Sequence, residues 1–172
     1  MIDSIVLGGG CFWCIEAYFQ QVPGIINVLS GYTGGLSANP TYREVTGGET
    51  GHVEVIKATF DDKIISLVEI FEIFFEMIDP TTLNKQGNDV GTQYRSAIFV
   101  NNDTQRKTAE KIIDSIKENY NDPIVTEVED LDVFYEAENY HQNYYNDNKA
   151  APYCRLVISP KMEKLQKILK KD

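Results

Sequence analysis

Two histidines, three cysteines, three methionines and a single tryptophan are sparse material for metal binding or redox chemistry in a chain of 172 residues. Three cysteines cannot close a complete disulfide framework, and a chain of this length can bury one core without one. A reducing, cytoplasmic setting with working thiols is therefore expected. No apolar run approaches the roughly 20 residues that cross a bilayer, and Met1-Ile2-Asp3-Ser4 carries no basic leader region, so neither membrane association nor secretion is expected. Positive charge is also scarce: 16 Lys and Arg against 26 Asp and Glu leave a net charge of -10, which argues against a nucleic-acid partner. Internal repeats, low-complexity tracts and linkers are absent, so residues 1–172 read as a single domain.

Aromatic residues are plentiful. Ten tyrosines occur, several in polar segments, and the most informative stretch is Gly10-Cys11-Phe12-Trp13-Cys14. The apolar run Ile5–Leu7 and three glycines, Gly8 to Gly10, precede Cys11; Ile15, Tyr18 and Phe19 follow at helical spacing. The order is strand, glycine turn, then Cys11 at a helix start, where unsatisfied N–H groups and the helix dipole favour a thiolate. A sulfur so placed, beside Phe12 and Trp13, fits chemistry on a small, partly apolar group.

Blander readings fit less well. A phosphate-binding turn would need a following Lys-Ser or Lys-Thr pair or the Gly-x-Gly-x-x-Gly spacing. A zinc site would have to join Cys11 and Cys14 to Cys154 and a histidine without a second close pair, so no metal is expected. Burial as a small apolar group suits Cys154 better than Cys11.

The pattern predicts strands near Ser4–Leu7, Ile25–Tyr32, His52–Phe60, Arg95–Val100 and Ile124–Val128. It predicts helices near Cys11–Gln21, Thr104–Tyr120, Ala137–Tyr145 and Lys161–Leu169, the last capped by Ser159 with Pro160 in its first turn. A further helix, opened by a Ser66–Glu69 capping box, would bury Leu67, Ile70, Phe71, Phe74 and Ile78. Leu156-Val157-Ile158 reads as an ordered strand. Two strand-helix-strand units in succession make an α+β fold: a ferredoxin-like split β-α-β sandwich, mainly antiparallel, with a C-terminal helical extension. The loops Thr33–Thr50 and Asp79–Tyr94 are the natural seats of function.

Those loops and the strand ends beside them carry Gly31-Tyr32-Thr33-Gly34-Gly35, Pro40-Thr41-Tyr42-Arg43-Glu44-Val45, Gly51-His52-Val53-Glu54-Val55 and Gly87-Asn88-Asp89-Val90-Gly91-Thr92-Gln93-Tyr94-Arg95-Ser96. Together with Gly10-Cys11-Phe12-Trp13, Phe134-Tyr135-Glu136-Ala137-Glu138 and His141-Gln142, this ordered series resembles the A-type peptide-methionine sulfoxide reductases from about Leu7 to Tyr145. The resemblance implies reduction of the S-epimer of methionine sulfoxide, free or in proteins, with no bound cofactor and with thioredoxin as reductant. It makes Cys11 the nucleophile, Phe12 and Trp13 the wall for the substrate methyl, Glu54 the acid, Tyr42 and Tyr94 hydroxyls around the sulfoxide oxygen, and Asp89 a supporting polar residue. Cys14 stands where the family usually has glycine, and Pro152-Tyr153-Cys154 where Gly-Tyr-Cys is usual. Both Cys14 and Cys154 are candidates to resolve the sulfenic acid left on Cys11, with Cys14 favoured for being one helical turn away.

The chemistry stands beside the resemblance. A sulfoxide oxygen leaves only when protonated, so a thiolate must attack while a neutral acid and hydroxyl donors act on the oxygen. The rival enzyme reading is a thioredoxin-like disulfide oxidoreductase using Cys11-x-x-Cys14; it leaves Glu54, Asp89 and the tyrosine loops without a task. A non-catalytic module that captures oxidised methionine is the other class. His52 and His141 read as hydrogen-bonding or structural groups.

Overall fold

The computed structural model describes residues 1–170; the final two positions of the expected domain, 171 and 172, lie outside the described residues. Strand β1 (Ile2–Gly8) lies antiparallel to β3 (Val53–Asp61) and to β6 (Ala97–Val100), and β3 lies antiparallel to β2 (Ile25–Thr33). Two further strands, β7 (Glu127–Asp130) and β8 (Tyr135–Glu136), complete a six-stranded sheet in the order β7-β6-β1-β3-β2-β8. Among the described residues only the β6–β7 pair is parallel. A separate hairpin joins β4 (Lys85–Gln86) to β5 (Asp89–Val90). The architecture is mixed α+β around a mostly antiparallel sheet, with a C-terminal helix.

Alternation along the strands divides the core. Ile5, Leu7, Ile56, Ala58 and Ile98 face helix α1 (Phe12–Gln20) and helix α3 (Leu67–Met77) in the larger apolar cluster. Val6, Val53, Val55, Ala97 and Phe99 form a second cluster on the opposite face, covered by Leu131 and Phe134. The period of two puts Glu54 on the same face as Ile56, hence under α1. The expected capping box is present: Ser66 Oγ accepts from the Glu69 N–H at 3.1 Å, a cap typically worth about 1 kcal/mol. Helix α4 (Asp103–Ile116) is capped in turn by Asn102.

Several expectations fail, mostly where tertiary contacts decide. The loop after β2 contains a short helix, α2 (Tyr42–Thr46), with its own Thr41–Glu44 capping box. The expected helix over Ala137–Tyr145 is broken. Asn143 takes a left-handed φ of 57°, separating a 3-10 turn at Asn139–His141 from the short α5 (Tyr144–Asp147). Leu156-Val157-Ile158 is not a strand: it lies in a π turn, Cys154–Ile158, continuous with helix α6 (Ser159–Lys170). Ser159 is therefore inside a helix and caps nothing; its hydroxyl pairs with the Tyr145 hydroxyl at 2.7 Å. Pro160 supplies the physical reason. It has no N–H for the carbonyl four residues earlier, and a π turn absorbs that missing bond. No described helix is long and apolar enough to cross a membrane.

Candidate active site

Gly10, at φ 82°, turns the chain out of β1, and its N–H is held by the Tyr94 carbonyl at 3.0 Å. A Cβ there would be strained and would meet Gln86 at 2.9 Å. Cys11 follows as the N-cap of α1, almost wholly buried. The Phe12 N–H donates to Glu54 Oε1 at 3.2 Å, so a helix-start donor reaches across to the sheet. The other oxygen, Glu54 Oε2, is buried and has no partner among the described residues. Burial, aided by the negative charge of Asp89 and Cys14, pushes the Glu54 carboxyl up to about 8 against the Phe12 N–H. At neutral pH it is a protonated acid with an unengaged oxygen.

Tyr42 and Tyr94 approach the same place. Burial is the main cause that raises both phenols, followed by the proximity of Glu54 and Cys11, so both remain hydroxyl donors. The aromatic wall is more extensive than the motif predicted. Phe12 and Tyr42 stack at 6.2 Å between ring centroids, and Trp13 and Tyr42 at 6.3 Å. Trp13 also stacks on Tyr144 at 3.8 Å and donates its indole N–H to His141 Nδ1 at 3.1 Å. His141 is thus a hydrogen-bonding group, as read, and burial lowers its pKa. Tyr144 was missed because its place depends on a chain reversal at Asn143.

The opposite side of Cys11 holds the other thiols. Cys14 is hydrogen-bonded to Cys11 and lies 3.4 Å from the Tyr153 hydroxyl, which donates to Asp89 Oδ2 at 3.1 Å. Asp89 therefore sits on the Cys14 side, in a cavity of about 360 Å³ lined by Cys11, Cys14, Tyr18 and Tyr153. Cys154 is fully buried, and burial raises its thiol, with Cys14 the next influence. All three thiols are free. The expected thiolate at Cys11 is not what the resting site favours. Burial pushes the Cys11 thiol well up, and the hydrogen bond with Cys14 and the Glu54 charge add to it; only the Trp13 N–H opposes them. Cys14 is the one drawn down, first by Cys11, then by Tyr153, Lys161 and Tyr18. The helix start gives Cys11 the Trp13 N–H, while the Phe12 N–H is spent on Glu54, and burial outweighs it.

A model of the family described as peptide methionine sulfoxide reductase matches residues 3–172. The chain belongs to the peptide methionine sulfoxide reductase family. It is 56% identical over 167 residues to the peptide methionine sulfoxide reductase MsrA of Saccharolobus solfataricus, an alignment covering 97% of this chain and 94% of the relative. Among solved structures it is similar to reduced Mxr1 from Saccharomyces cerevisiae, with a TM-score of 0.85 and 35% identity over 89% of each chain. Mxr1 in complex with Trx2 matches at a TM-score of 0.60, with 25% identity over 83% of this chain and 84% of that one. Family membership leaves the residue-level geometry to be read from this chain itself. That matters most at Cys14, Tyr153 and Cys154.

Proposed function

We propose that Cys11 is the nucleophile that reduces a methionine S-sulfoxide whose methyl group lies against Phe12 and Trp13. The protein is a methionine sulfoxide reductase; the roles of its residues are our reading. The Cys11 sulfur attacks the sulfoxide sulfur while Glu54 protonates the oxygen and the Tyr42 and Tyr94 hydroxyls donate to it. A second proton, returned in the next step, lets the oxygen leave as water and gives a Cys11–methionine sulfur–sulfur bond; water then attacks the Cys11 sulfur, that bond breaks, methionine leaves with its electron pair, and Cys11 is left as a sulfenic acid. Cys14 then displaces water from that sulfenic acid to form a disulfide, and a thioredoxin dithiol reduces it, in line with the Trx2 complex of the yeast relative. The observation that carries this reading is Glu54 Oε2: a buried, partnerless acid oxygen beside the Cys11 helix start. Such groups are rare in folded chains unless a ligand completes them.

Asp89 supports the site through Tyr153. The Cys11–Cys14 hydrogen bond favours Cys14 as first resolver, with Cys154 placed beyond it as a second exchange partner. The disulfide-oxidoreductase alternative explains Cys14 but has no use for a protonated Glu54. The β6-β1-β3-β2 order with α1 and α3 as crossovers supports the ferredoxin-like split β-α-β reading. A family match over residues 3–172 supports one catalytic domain, and three free thiols support a cytoplasmic setting. The direct test mixes reduced protein with one equivalent of each methionine sulfoxide epimer and measures methionine. Stoichiometric product from the S-epimer and little from the R-epimer is expected; equal yields would refute the fixed placement of methyl, oxygen and attacking sulfur.

A further inference from the structure

Glu16 is a carboxyl for which the reaction has no task. It lies on α1 close after Trp13 and is 1% exposed. Its Oε2 accepts from the Ser30 hydroxyl at 3.1 Å, and its Oε1 accepts from the Tyr144 N–H at 3.2 Å; the Asn143 N–H also donates to it. The left-handed turn at Asn143 aims these two consecutive N–H groups at one carboxyl. A buried carboxylate is expensive to desolvate, and an apolar residue of similar volume would usually serve stability as well. What an apolar residue could not do is bind two N–H groups of an irregular segment.

The segment it binds is the one that touches Trp13. Across His141–Tyr144, contact and attachment alternate. His141 accepts the indole N–H, and Tyr144 stacks on the indole ring. Between them, Gln142 brackets Ser30, accepting from its N–H at 2.9 Å and donating to its carbonyl at 2.8 Å, while Asn143 is held by Glu16. Both attachment points converge on Ser30 of β2.

We propose that Glu16 is a positioning residue that fixes the outer layer of the sulfoxide-binding wall, acting on Trp13 through Tyr144. This rests on the reading of Phe12 and Trp13 as that wall. Without the carboxyl, the part-buried Tyr144 N–H loses its acceptor and the Asn143 N–H its tie to α1, the turn reorganises, and Tyr144 leaves the indole face. Substrate binding then weakens while the Cys11–Glu54 pair keeps its geometry.

Trp13 is the chain's single tryptophan, so its emission reports on the wall directly. In the full-length protein, Glu16→Ala should shift Trp13 emission to longer wavelength without substrate. It should also raise KM for methionine S-sulfoxide about tenfold, the scale of one lost ring contact, with kcat within about threefold. Glu16→Gln should stay near wild type in both readouts. Its carbonyl can accept from the Tyr144 N–H, and its NH₂ can donate to the Ser30 hydroxyl, which rotates to accept. Tyr144→Ala, which leaves Glu16 in place, should reproduce the emission and KM changes and serves if Glu16→Ala does not fold. Wild-type emission and KM in a folded Glu16→Ala or in Tyr144→Ala would overturn the proposal, as would Glu16→Gln failing as badly as Glu16→Ala. A shifted emission with unchanged KM would overturn it at the step from anchor to substrate, and with it the reading of Trp13 as the wall. Methionine formation by wild type tests the activity separately.

Discussion

The first turn of α1 presents the same sulfur to two differently finished regions. Toward β3 and α2, polar atoms are left open: Glu54 Oε2 has no partner, and the Tyr42 and Tyr94 phenols gather near Cys11. Toward the C-terminal helix lies the cavity of about 360 Å³, but the thiols there are engaged or buried: Cys14 is tied to Cys11 and Tyr153, Tyr153 to Asp89, and Cys154 is fully buried. An oxygen-accepting pocket must keep donors free for a ligand, whereas a set of thiols must be shielded until the sulfenic acid forms. On the open side Glu54 is carried by the sheet, Tyr42 by α2 and Tyr94 by a 3-10 turn before β6. The closed side depends on a π turn, a feature often found at functional sites.

The largest effect should come from the sulfur the two regions share. Cys11→Ser should yield no methionine even at one equivalent of substrate, with thermal unfolding close to wild type. Cys11 directly precedes Phe12, whose N–H binds Glu54, so a folded Cys11→Ser protein that still makes methionine would erase the distinction between the two sides.

Glu54→Gln breaks the open side alone, and single-turnover reduction should slow by about 10² to 10⁴-fold. Its pH profile sharpens the point. The reactive form holds one proton between the pair, thiolate at Cys11 and acid at Glu54. With Glu54 at about 8 and Cys11 held above the ordinary thiol range, the two-proton form prevails below pH 8. Wild-type single turnover should therefore rise with pH to about 8 and then level, and Glu54→Gln should lose that inflection. Stability follows the same proton with a definite sign. Folded Glu54 keeps its proton to about 8, while the unfolded chain loses it near 4.5, so raising pH across that window favours unfolding. Relative to Glu54→Gln, wild type should lose up to about 1.4 kcal/mol per pH unit there and nothing further above it. Parallel denaturant midpoints for the two proteins from pH 5 to about 8 would refute the raised carboxyl.

On the closed side, Cys14→Ser should keep its first turnover but lose at least about tenfold of thioredoxin-coupled turnover, because the partner already in place forfeits its effective concentration. Cys154→Ser should lose less. Peptide mapping after one equivalent of substrate distinguishes them: a Cys11–Cys154 bridge formed by Cys14→Ser and recycled at the wild-type rate would reverse the assignment.

The same division governs what could be read from the sequence. The strand carrying Glu54 alternates Glu54, Ile56, Ala58 and Phe60 against Val53, Val55, Lys57 and Thr59, and the structure keeps that division. Yet Val53 to Ile56 are all fully buried, so periodicity could not tell whether Glu54 faced a site or a core; the surrounding motif decided it. The Ser66–Glu69 box and the Cys11 helix start were legible because caps are local chemistry. In the C-terminal region the last helix was legible, α6 covering the expected Lys161–Leu169, but what leads into it was not. Leu156-Val157-Ile158 is too short an apolar run to separate strand from helix. The Trp13–His141 bond joins residues 128 apart in sequence, beyond the reach of any local pattern. The thiolate expected at Cys11 failed for a related reason: a helix start is visible in sequence, but the burial that outweighs it is tertiary.

The smallest expected effect tests the link between the two regions. Tyr153 has one hydroxyl proton and two neighbours that want it. With that proton donated to Asp89, its oxygen can only accept from the Cys14 thiol; when Cys14 ionises, the proton must turn to the sulfur and leave Asp89. Tyr153→Phe removes this exchange while keeping the ring near Trp13, 5.9 Å away edge to face. Cys14 then loses a donor to its thiolate, so its pKa should rise and its attack on the Cys11 sulfenic acid should slow by about two- to fivefold, the scale of one hydrogen bond. The first turnover should stay within about twofold, since Glu54, Tyr42 and Tyr94 are untouched. Alkylation of Cys14 followed against pH, in a Cys154→Ser background, reads the shift directly. An unchanged alkylation profile would detach Tyr153 from the thiols. A first turnover that fell as far as recycling would place Tyr153 on the open side instead.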